Sequence, residues 1–243
     1  MISQNYQNQI VFITGGASGI GLAQVKTYLA LGAKVWALDR QEMPIQDVNL
    51  HSFQVDLGIP NALQEWIAQT DLSQIDIFLS TAGVLDAYVP ALLTDYPAIQ
   101  HLMAINVDSA VQLTLPILAG MVQRKQGTIV YMTSIAGQVA GGGGAAYTMS
   151  KHALVGWMKQ LALDYADQNI HINGIAPGAI QTPMNAADFQ DDGQIAKEVA
   201  AQTPVHRWAQ AQEVADLTLY LTSPEARYVQ GQVLTIDGGW TIK

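Results

Sequence analysis

The sequence predicts a single α/β domain over residues 1–243, in which helices cover both faces of a doubly wound parallel sheet. Three observations support this fold class. Short β-branched runs alternate with longer helical stretches, a glycine-rich turn joins the first strand to the first helix, and no linker or repeat divides the chain. Right-handed crossovers turn such alternation into a three-layer α/β/α arrangement. A ligand is then expected at the carboxyl ends of the strands.

The elements follow one another in a regular order. Strands are predicted at 10–14, 34–39, 51–55, 75–80, 128–134, 170–176 and 232–237. Helices are predicted at 19–31, 60–69 and 147–168, with further helices between residues 80 and 124. Residues 184–203 mix apolar and acidic side chains around Gly193, which fits either a mobile lid over a substrate or an ordinary surface helix.

Composition and charge exclude several function classes. The chain has 20 acidic and 11 basic side chains, a net charge of −9, so nucleic acid is not expected as a partner. It contains no cysteine, and its five histidines lack ligand spacing, so no metal site is expected. Neither a membrane-spanning run of about 18 apolar residues nor a secretory leader is predicted. We therefore expect no membrane association and a cytoplasmic location.

The turn "TGGASGIG" (14–21) follows the first predicted strand and opens the first predicted helix. Gly15, Gly19 and Gly21 allow the backbone to turn tightly and to present amides and the helix dipole to a pyrophosphate. A turn of this kind in this position is typical of a Rossmann-type dinucleotide-binding site.

Asp39 ends the second predicted strand, where a carboxylate can accept hydrogen bonds from both hydroxyls of an adenosine ribose. The same negative charge repels a 2′-phosphate, so NAD is predicted as the cofactor rather than NADP. The adjacent Arg40 keeps the alternative open, because its guanidinium can turn toward a 2′-phosphate.

Tyr147 and Lys151 share the apolar face of the helix predicted at 147–168. The spacing places the ammonium beside the phenol, which predicts a tyrosine pKa lowered from about 10 and hence a proton donor and acceptor. Ser134 ends the fifth predicted strand, where its hydroxyl can hold a substrate oxygen. The four glycines at 141–144 are predicted to let the chain pass close to a substrate.

Taken together, these motifs resemble those of the classical short-chain dehydrogenases/reductases, over essentially the whole chain. The matching segments are "TGGASGIG", Asp56 in "VDL", "AG" at 82–83, Asn106 in "AINV", Ser134, "YTMSK", "INGIAPGAIQTPM" (172–184) and "IDGG" (236–239). The resemblance implies that Tyr147 is the catalytic acid/base and that Ser134 polarises the carbonyl. It implies further that Lys151 binds the nicotinamide ribose and that Asn106 anchors a water near the lysine.

The resemblance also implies a set of cofactor contacts. These are Gly15, Ser18, Gly19, Ile20, Gly21, Asp39, Asp56, Leu57, Thr81, Ala82, Gly83, Tyr147, Lys151, Ile180 and Thr182. Asp56 would contact the adenine, while Ile180 and Thr182 would border the nicotinamide. The family commonly has two asparagines before Ala-Gly, where this chain has Ser80 and Thr81.

The implied activity is NAD(H)-dependent hydride transfer to a carbonyl or from a secondary alcohol. The motif set is most similar to that of 3-oxoacyl-acyl-carrier-protein reductases, which implies a 3-oxoacyl thioester as one candidate substrate. Of the basic pair that those reductases present to the acidic carrier, this chain matches one position with Lys125 and has Gln168 at the other. A sugar or polyol dehydrogenase and a non-catalytic dinucleotide-binding regulatory protein are the alternatives.

The sequence of the helix predicted at 147–168 also indicates how the subunits assemble. Gly156, with Ala153 beside it, falls on the side of the helix away from Tyr147, where another backbone can pack closely. In the family that the chain resembles, this helix pairs across a dimer within a tetramer. A homotetramer is therefore expected.

Overall fold

The computed structural model describes residues 5–86 and 88–243. The strands are β1 (Ile10–Thr14), β2 (Lys34–Asp39), β3 (Leu50–Gln54), β4 (Ile77–Ser80), β5 (Gly127–Met132), β6 (Ile170–Pro177), β7 (Ile180–Gln181), β8 (Ala209–Gln210) and β9 (Val233–Ile236). The α-helices are α1 (Gly19–Ala30), α2 (Ala62–Ala68), α3 (Tyr96–Met103), α4 (Ser109–Arg124), α5 (Ala145–Tyr165), α6 (Gln194–Gln202) and α7 (Ala211–Thr222). Short 3₁₀ turns connect several of them.

A seven-stranded sheet organises these elements, with the strand order β3-β2-β1-β4-β5-β6-β9. All neighbouring strands in it are parallel, while β7 and β8 pair as a small separate ribbon. The direction of winding reverses between β1 and β4. In an open parallel sheet this switch point leaves a crevice at the carboxyl ends of the two strands, which is where ligands bind.

Both faces of the sheet are covered, which explains why its central strands are nearly continuous apolar runs. The last four residues of β1 are all buried. On one face the sheet packs against α4 and α5 through side chains that include Ile117 and Met158. On the other it packs against α1 and α7 through side chains that include Val25 and Val214. The prediction of a three-layer, doubly wound α/β/α fold is confirmed.

The helical stretch Tyr96–Arg124 joins α3 to α4 through a π-helical turn, Ala104–Asp108. The most apolar 18-residue window of this stretch has a mean hydropathy of 1.5, which would suffice to cross a membrane by length and composition alone. Half of its most apolar window is buried inside the fold. Leu113 and Ile117 are fully buried there in the core beneath the sheet, so the apolar composition has a packing role.

The predicted boundaries differ from the observed ones mainly at element ends. The last turn of the helix predicted at 147–168 is a 3₁₀ turn, Ala166–Gln168, which ends at Asn169 in the left-handed conformation. The segment predicted as a lid consists of 3₁₀ turns over Pro183–Phe189 and Asp191–Gly193 followed by α6. Gly193 has a φ of +65°, which lets the chain change direction directly before α6.

Candidate active site

The crevice at the switch point is closed at its base by contacts between the ends of β1 and β4. Thr14 Oγ1, at the end of β1, accepts hydrogen bonds from the amides of Thr81 and Ala82, each at 3.0 Å. Gly15, with a φ of +72°, follows at once, and a Cβ added there would lie 2.9 Å from Ala82 Cα. Glycine is therefore required where the two chain segments cross.

The glycine-rich turn leads from this crossing into α1. A Cβ on Gly21 would overlap the carbonyl oxygen of Gly15, so the turn closes this tightly because both positions are glycine. Ser18 occupies the N-cap position, but its side chain makes no capping hydrogen bond. The amides in the first turn of α1 are therefore available to bind a ligand. Together with the helix dipole, they form a site suited to phosphate.

One cavity of about 910 Å³ runs from this turn across the crevice. Every predicted cofactor residue lines it, namely Gly15, Ser18, Gly19, Ile20, Gly21, Asp39, Asp56, Leu57, Thr81, Ala82, Gly83, Tyr147, Lys151, Ile180 and Thr182. The volume is of the size expected for a cofactor-sized ligand. The uncapped helix start, the close backbone approaches and a carboxylate at one end fit a dinucleotide.

The carboxylate of Asp39 is anchored on both oxygens. Oδ2 accepts from the amide of Ala17 at 3.0 Å, and Oδ1 accepts from the amide of Gln41 at 2.9 Å. The carboxylate therefore ties the end of β2 to the glycine turn while it lines the cavity. The neighbouring Arg40 also lines the cavity and is exposed.

Thr81 occupies one of the two positions where the family commonly has asparagine. Its hydroxyl donates to Gln24 Oε1 at 2.7 Å, and the Gln24 amide donates to Thr218 Oγ1 at 3.0 Å. Gln24 and Thr218 are fully buried. This polar chain joins the end of β4 to α1 and α7, so the threonine is satisfied by partners within the fold.

Ser134, Tyr147 and Lys151 come together on the other side of the crevice, and all three are buried and line the cavity. β5 ends at Met132, so Ser134 does not end the strand as predicted but caps the 3₁₀ turn Ile135–Gly137 that follows, where its Oγ accepts from the amide of Ala136 at 3.1 Å. Tyr147 lies in the first turn of α5, and Lys151 lies one turn later. The Lys151 ammonium donates to the carbonyl oxygen of Met132 at 2.9 Å and lies 5.4 Å from the centroid of the Tyr147 ring.

The predicted lowering of the tyrosine pKa is wrong for this arrangement. Burial raises the pKa of Tyr147 to about 12, while the hydrogen bond with Ser134 acts in the opposite direction. Burial also lowers the pKa of Lys151 to about 8. Desolvation is the largest cause of both shifts, and the ammonium hydrogen-bonds to a main-chain carbonyl while it lies over the tyrosine ring.

Asn106 lies behind the cavity wall and is outside the lining formed by the described residues. Its side chain donates to Val84 O at 2.9 Å and to Ser150 Oγ at 3.1 Å, and it accepts from Val84 N at 2.8 Å. The π-helical turn that carries Asn106 is thus fastened both to the loop after β4 and to α5. The amide is committed to these contacts, and its implied role as a water anchor stays a prediction.

The four glycines before α5 have separate explanations. Gly141, with a φ of +91°, and Gly142 line the cavity. A Cβ on Gly143 would overlap the Tyr147 ring, and one on Gly144 would lie 2.5 Å from the carboxylate of Asp86. The first pair allows the close passage beside the cavity, whereas the second pair makes room for two specific side chains.

Several lining residues were not predicted from the sequence. They come from four separated segments and include Tyr88, Asn185, Asp188, Trp208 and Trp240; Asn185 and Asp188 belong to the segment 184–203 that was predicted as a possible lid, but neither was predicted individually. No local motif marks them, because each lines the cavity only after distant loops have folded together. The two tryptophans were visible as large aromatic residues in otherwise polar segments, and this was the one signal available.

Comparison with known proteins identifies the family. The family model described as enoyl-(acyl carrier protein) reductase matches residues 15–241. The 3beta-hydroxysteroid dehydrogenase 2 of Eggerthella lenta is 32% identical, with 96% of this chain and 95% of the relative covered. This chain is a classical short-chain dehydrogenase/reductase. The 3-oxoacyl-[acyl-carrier-protein] reductase FabG of Escherichia coli is 29% identical, with 97% and 98% covered.

Solved structures of other short-chain dehydrogenases/reductases share the fold closely. A 4-hydroxyisoleucine dehydrogenase complexed with NADH has a TM-score of 0.90 and 31% identity, with 97% of this chain and all of that chain covered. A putative NAD(P)-dependent gluconate 5-dehydrogenase from Beutenbergia cavernae, with bound NADP, has a TM-score of 0.88 and 29% identity, with 99% of each chain covered. Short-chain dehydrogenases/reductases bind a nicotinamide dinucleotide, and these neighbours include both forms of it.

Proposed function

We propose that the protein is an NAD(H)-dependent oxidoreductase that interconverts an apolar carbonyl compound and the corresponding secondary alcohol. The observation that carries this proposal is the convergence of Ser134, Tyr147 and Lys151 on the cavity that the glycine turn opens. A binding protein has no use for a buried phenol and a buried ammonium side by side, since burying both costs free energy. The regulatory alternative is therefore the weaker one.

The chain's own residues divide the chemistry among them. A bound nicotinamide supplies or accepts the hydride. In reduction, the Tyr147 hydroxyl donates its proton to the carbonyl oxygen as negative charge develops there, and Ser134 donates a hydrogen bond to the same oxygen. In oxidation, the proton returns from the alcohol to Tyr147. The phenol of Tyr147 is protonated near neutral pH, the form that reduction requires, because burial raises its pKa further above that pH, to about 12.

Substitution of Tyr147 by phenylalanine tests this proposal, because it removes the proton donor and keeps the ring. We expect kcat to fall by about 10²- to 10⁴-fold and the affinity for NADH to change by less than about threefold. Stopped assays with a panel of ketones and calorimetric NADH titrations give the two quantities. If neither wild type nor variant turns over any substrate while both bind NADH, the regulatory alternative is correct.

The lining of the substrate end supports an apolar substrate. Beyond Ser134 and Tyr147, this end is formed largely by the apolar side chains of Leu85, Met184, Ile195, Val199, Trp208 and Trp240. A polyol needs a partner for each hydroxyl, and a wall of this kind supplies few of them. An apolar ketone or a 3-oxoacyl thioester fits this end better than a sugar.

Charge at the same end opposes an anionic substrate. Among the described residues that line the cavity, the basic side chains are Arg40 and Lys151, and Lys151 is bonded to a main-chain carbonyl. Asp188 adds a negative charge beside Tyr88, close enough to raise the pKa of that phenol further after burial has raised it. A carboxylate or a phosphopantetheine-bearing acidic carrier would meet like charge in a chain of net charge −9.

Matched substrates separate these alternatives. We expect kcat/KM with ethyl acetoacetate to exceed kcat/KM with acetoacetate by about tenfold or more. In the Asp188→Asn variant this ratio should be smaller, because a negative charge near the substrate has been removed. An acetoacetyl thioester of N-acetylcysteamine tests the acyl class without its carrier, and sorbitol tests the polyol class. Activity confined to sorbitol would overturn the apolar assignment.

The preference for NAD is part of the proposal and depends on Asp39. Its carboxylate lines the cavity at the end of β2 in a position held by two amides, where it can accept from ribose hydroxyls and repel a 2′-phosphate. Arg40 acts against this preference, because its guanidinium can turn toward a 2′-phosphate and so favour NADP. We also propose a cytoplasmic location for the protein.

We further propose that residues 184–203 close over the substrate. Met184, Ile195 and Val199 of this segment line the cavity. Phe189 of this segment packs against Trp208, with 5.0 Å between the ring centroids. Because Trp208 lines the cavity, this contact holds the segment against the cavity wall. A segment that is anchored at one point and turns at Gly193 has the construction of a lid.

The assembly proposed is a homotetramer. Met149, Gly156 and Leu163 recur every seventh residue and form an exposed stripe along α5, with Leu163 76% exposed. A Cβ on Gly156 would meet no atom of the described residues within 4 Å, so a second helix can approach closely there. On neighbouring α4, Leu115 is exposed, and the buried Gln112 Oε1 has no hydrogen-bond partner among the described residues.

A further inference from the structure

Asp86, in the loop after β4, contacts the start of the helix that carries the acid/base residue. Its carboxylate accepts from the amide of Gly144 at 2.7 Å through Oδ1 and from the amide of Tyr147 at 3.0 Å through Oδ2. Gly144 is the N-cap residue of α5 and has no side chain with which to cap the helix. A residue almost 60 positions earlier in the chain therefore supplies the cap.

The glycine at position 144 is explained by this contact. Its φ of −74° and ψ of −176° are open to any residue, so backbone strain does not require glycine there. A Cβ would lie 2.5 Å from Asp86 Oδ2 and 2.8 Å from its Cγ. The missing side chain at 144 is what allows the carboxylate to reach the helix end.

The cap acts on the residue that does the chemistry. Tyr147 is in the first turn of α5, and its own amide is one of the two donors to Asp86. The negative charge is well placed at the positive end of the helix dipole. Burial is the main reason that the pKa of Tyr147 is raised, and the charge of Asp86 adds to it, as does the nearby Tyr88.

We propose that Asp86 is a positioning residue for catalysis: its carboxylate fixes the first turn of α5 and thereby holds the Tyr147 hydroxyl beside Ser134 at the reacting oxygen. Asp86 lies outside the cavity lining formed by the described residues, so it acts through Tyr147. This inference rests on the proposed function, in which Tyr147 is the proton donor. Asp86 would then be required for catalysis although it belongs neither to the motif that contains Tyr147 and Lys151 nor to the cavity lining.

The first test is kinetic and uses a matched helix cap as its control. Asp86→Asn keeps the shape but replaces one acceptor oxygen by a donor, and we expect kcat to fall by about tenfold or more, with KM and NADH affinity changed by less than about twofold. Asp86→Ala should lower kcat further. Asp95 caps α3 by accepting from the amide of Ala98 at 2.7 Å. Asp95→Asn should lower thermal stability by a similar amount and leave kcat unchanged.

The second test is a double-mutant cycle with Gly144→Ala, which remains informative if Asp86→Ala folds poorly. The added methyl displaces the carboxylate, so Gly144→Ala alone should also lower kcat about tenfold or more. When Gly144→Ala is combined with Asp86→Asn or Asp86→Ala, the fold decrease in kcat should be much smaller than the product of the two single decreases. The reason is that either single change already removes the contact between Asp86 and the start of α5.

Opposite outcomes overturn the proposal. These are kcat values for both Asp86 variants within twofold of wild type, an equal loss of kcat in Asp95→Asn, or fully multiplicative effects in the cycle. Failure of the proposed function has a different signature, which is a Tyr147→Phe variant that keeps wild-type kcat. An inactive Tyr147→Phe together with active Asp86 variants refutes the positioning role alone.

Discussion

Lys151 Nζ lies 5.4 Å from the centroid of the Tyr147 ring and donates its hydrogen bond to the carbonyl oxygen of Met132. The lysine therefore joins the end of β5 to α5. Gly83 lies beside this pair: a Cβ there would be in ordinary contact with Nζ at 3.5 Å and slightly close to Asn106 Oδ1 at 3.3 Å. The backbone after β4 thus passes close to both the lysine and the asparagine.

The buried ammonium gives a signature in the pH dependence of stability. Burial lowers the pKa of Lys151 to about 8 from 10.5, so between these values the unfolded chain binds more protons than the folded one. The cost of burying the charge is largest below about pH 8 and disappears as the pH rises through the window. We expect about 2 kcal/mol of stability to be regained by this route between about pH 8 and pH 10, and Lys151→Met to lack this gain.

Urea unfolding of wild type and Lys151→Met across that range measures the difference. The raised pKa of Tyr147 acts at higher pH: it contributes stability that is present below about 10 and is lost as the pH approaches about 12. It therefore does not mask the lysine window. Parallel pH curves for the two proteins would show that the ammonium is not desolvated.

Asp39→Ala should change cofactor preference. We expect NADH affinity to fall by about tenfold or more, because the ribose loses an acceptor and the glycine turn loses the contact with the Ala17 amide, while NADPH affinity falls less. Calorimetry with both cofactors measures the ratio. Asp47→Ala is the control, since Asp47 also accepts from an amide two residues on, that of Asn49, in an exposed loop. A wild type that prefers NADPH would assign the selectivity to Arg40.

The glycines before α5 should differ in their effect on catalysis. Gly143→Ala places a methyl group against the rigid Tyr147 ring, so we expect kcat to fall by about 10- to 100-fold. Gly142→Ala meets the methyl group of Ala136 at 3.1 Å and should have the smaller effect on kcat. Steady-state kinetics on the two variants tests the order. Equal effects would mean that the ring is free to move aside.

The exposed stripe on α5 should hold the subunits together. Gly156→Arg fills the open space along the stripe with a long charged side chain, and we expect it to convert a tetramer into smaller species. Val48→Arg is the control, because Val48 is 92% exposed in the loop before β3. Sedimentation velocity distinguishes the species. An unchanged distribution for Gly156→Arg would place any interface on another surface.

Much of the site could be predicted because its residues are tied to local patterns. The turn from Gly15 to Gly21 is adjacent in sequence to the strand and the helix that it joins, and the spacing of Tyr147 and Lys151 on one helix fixes their proximity. The ends of parallel strands share one edge of the sheet, which brought Asp39 and Ser134 to the same cavity. The family and the order of the elements follow from these local relations.

Other features depended on contacts between distant segments. The pKa of a buried tyrosine beside a lysine depends on how deeply the phenol is buried and on which group accepts the hydrogen bond of the ammonium. Helix spacing encodes neither of these. The cap that Asp86 places on α5, and the apolar wall to which Trp208 and Trp240 contribute, bring together loops that are far apart in the chain. The sequence by itself determined the fold and the family, and it predicted the residues that we propose for the chemistry, since periodicity and motif spacing are local. Only the tertiary structure decided their protonation, their supports and the shape of the substrate end, because burial and long-range hydrogen bonds exist only after the chain has folded.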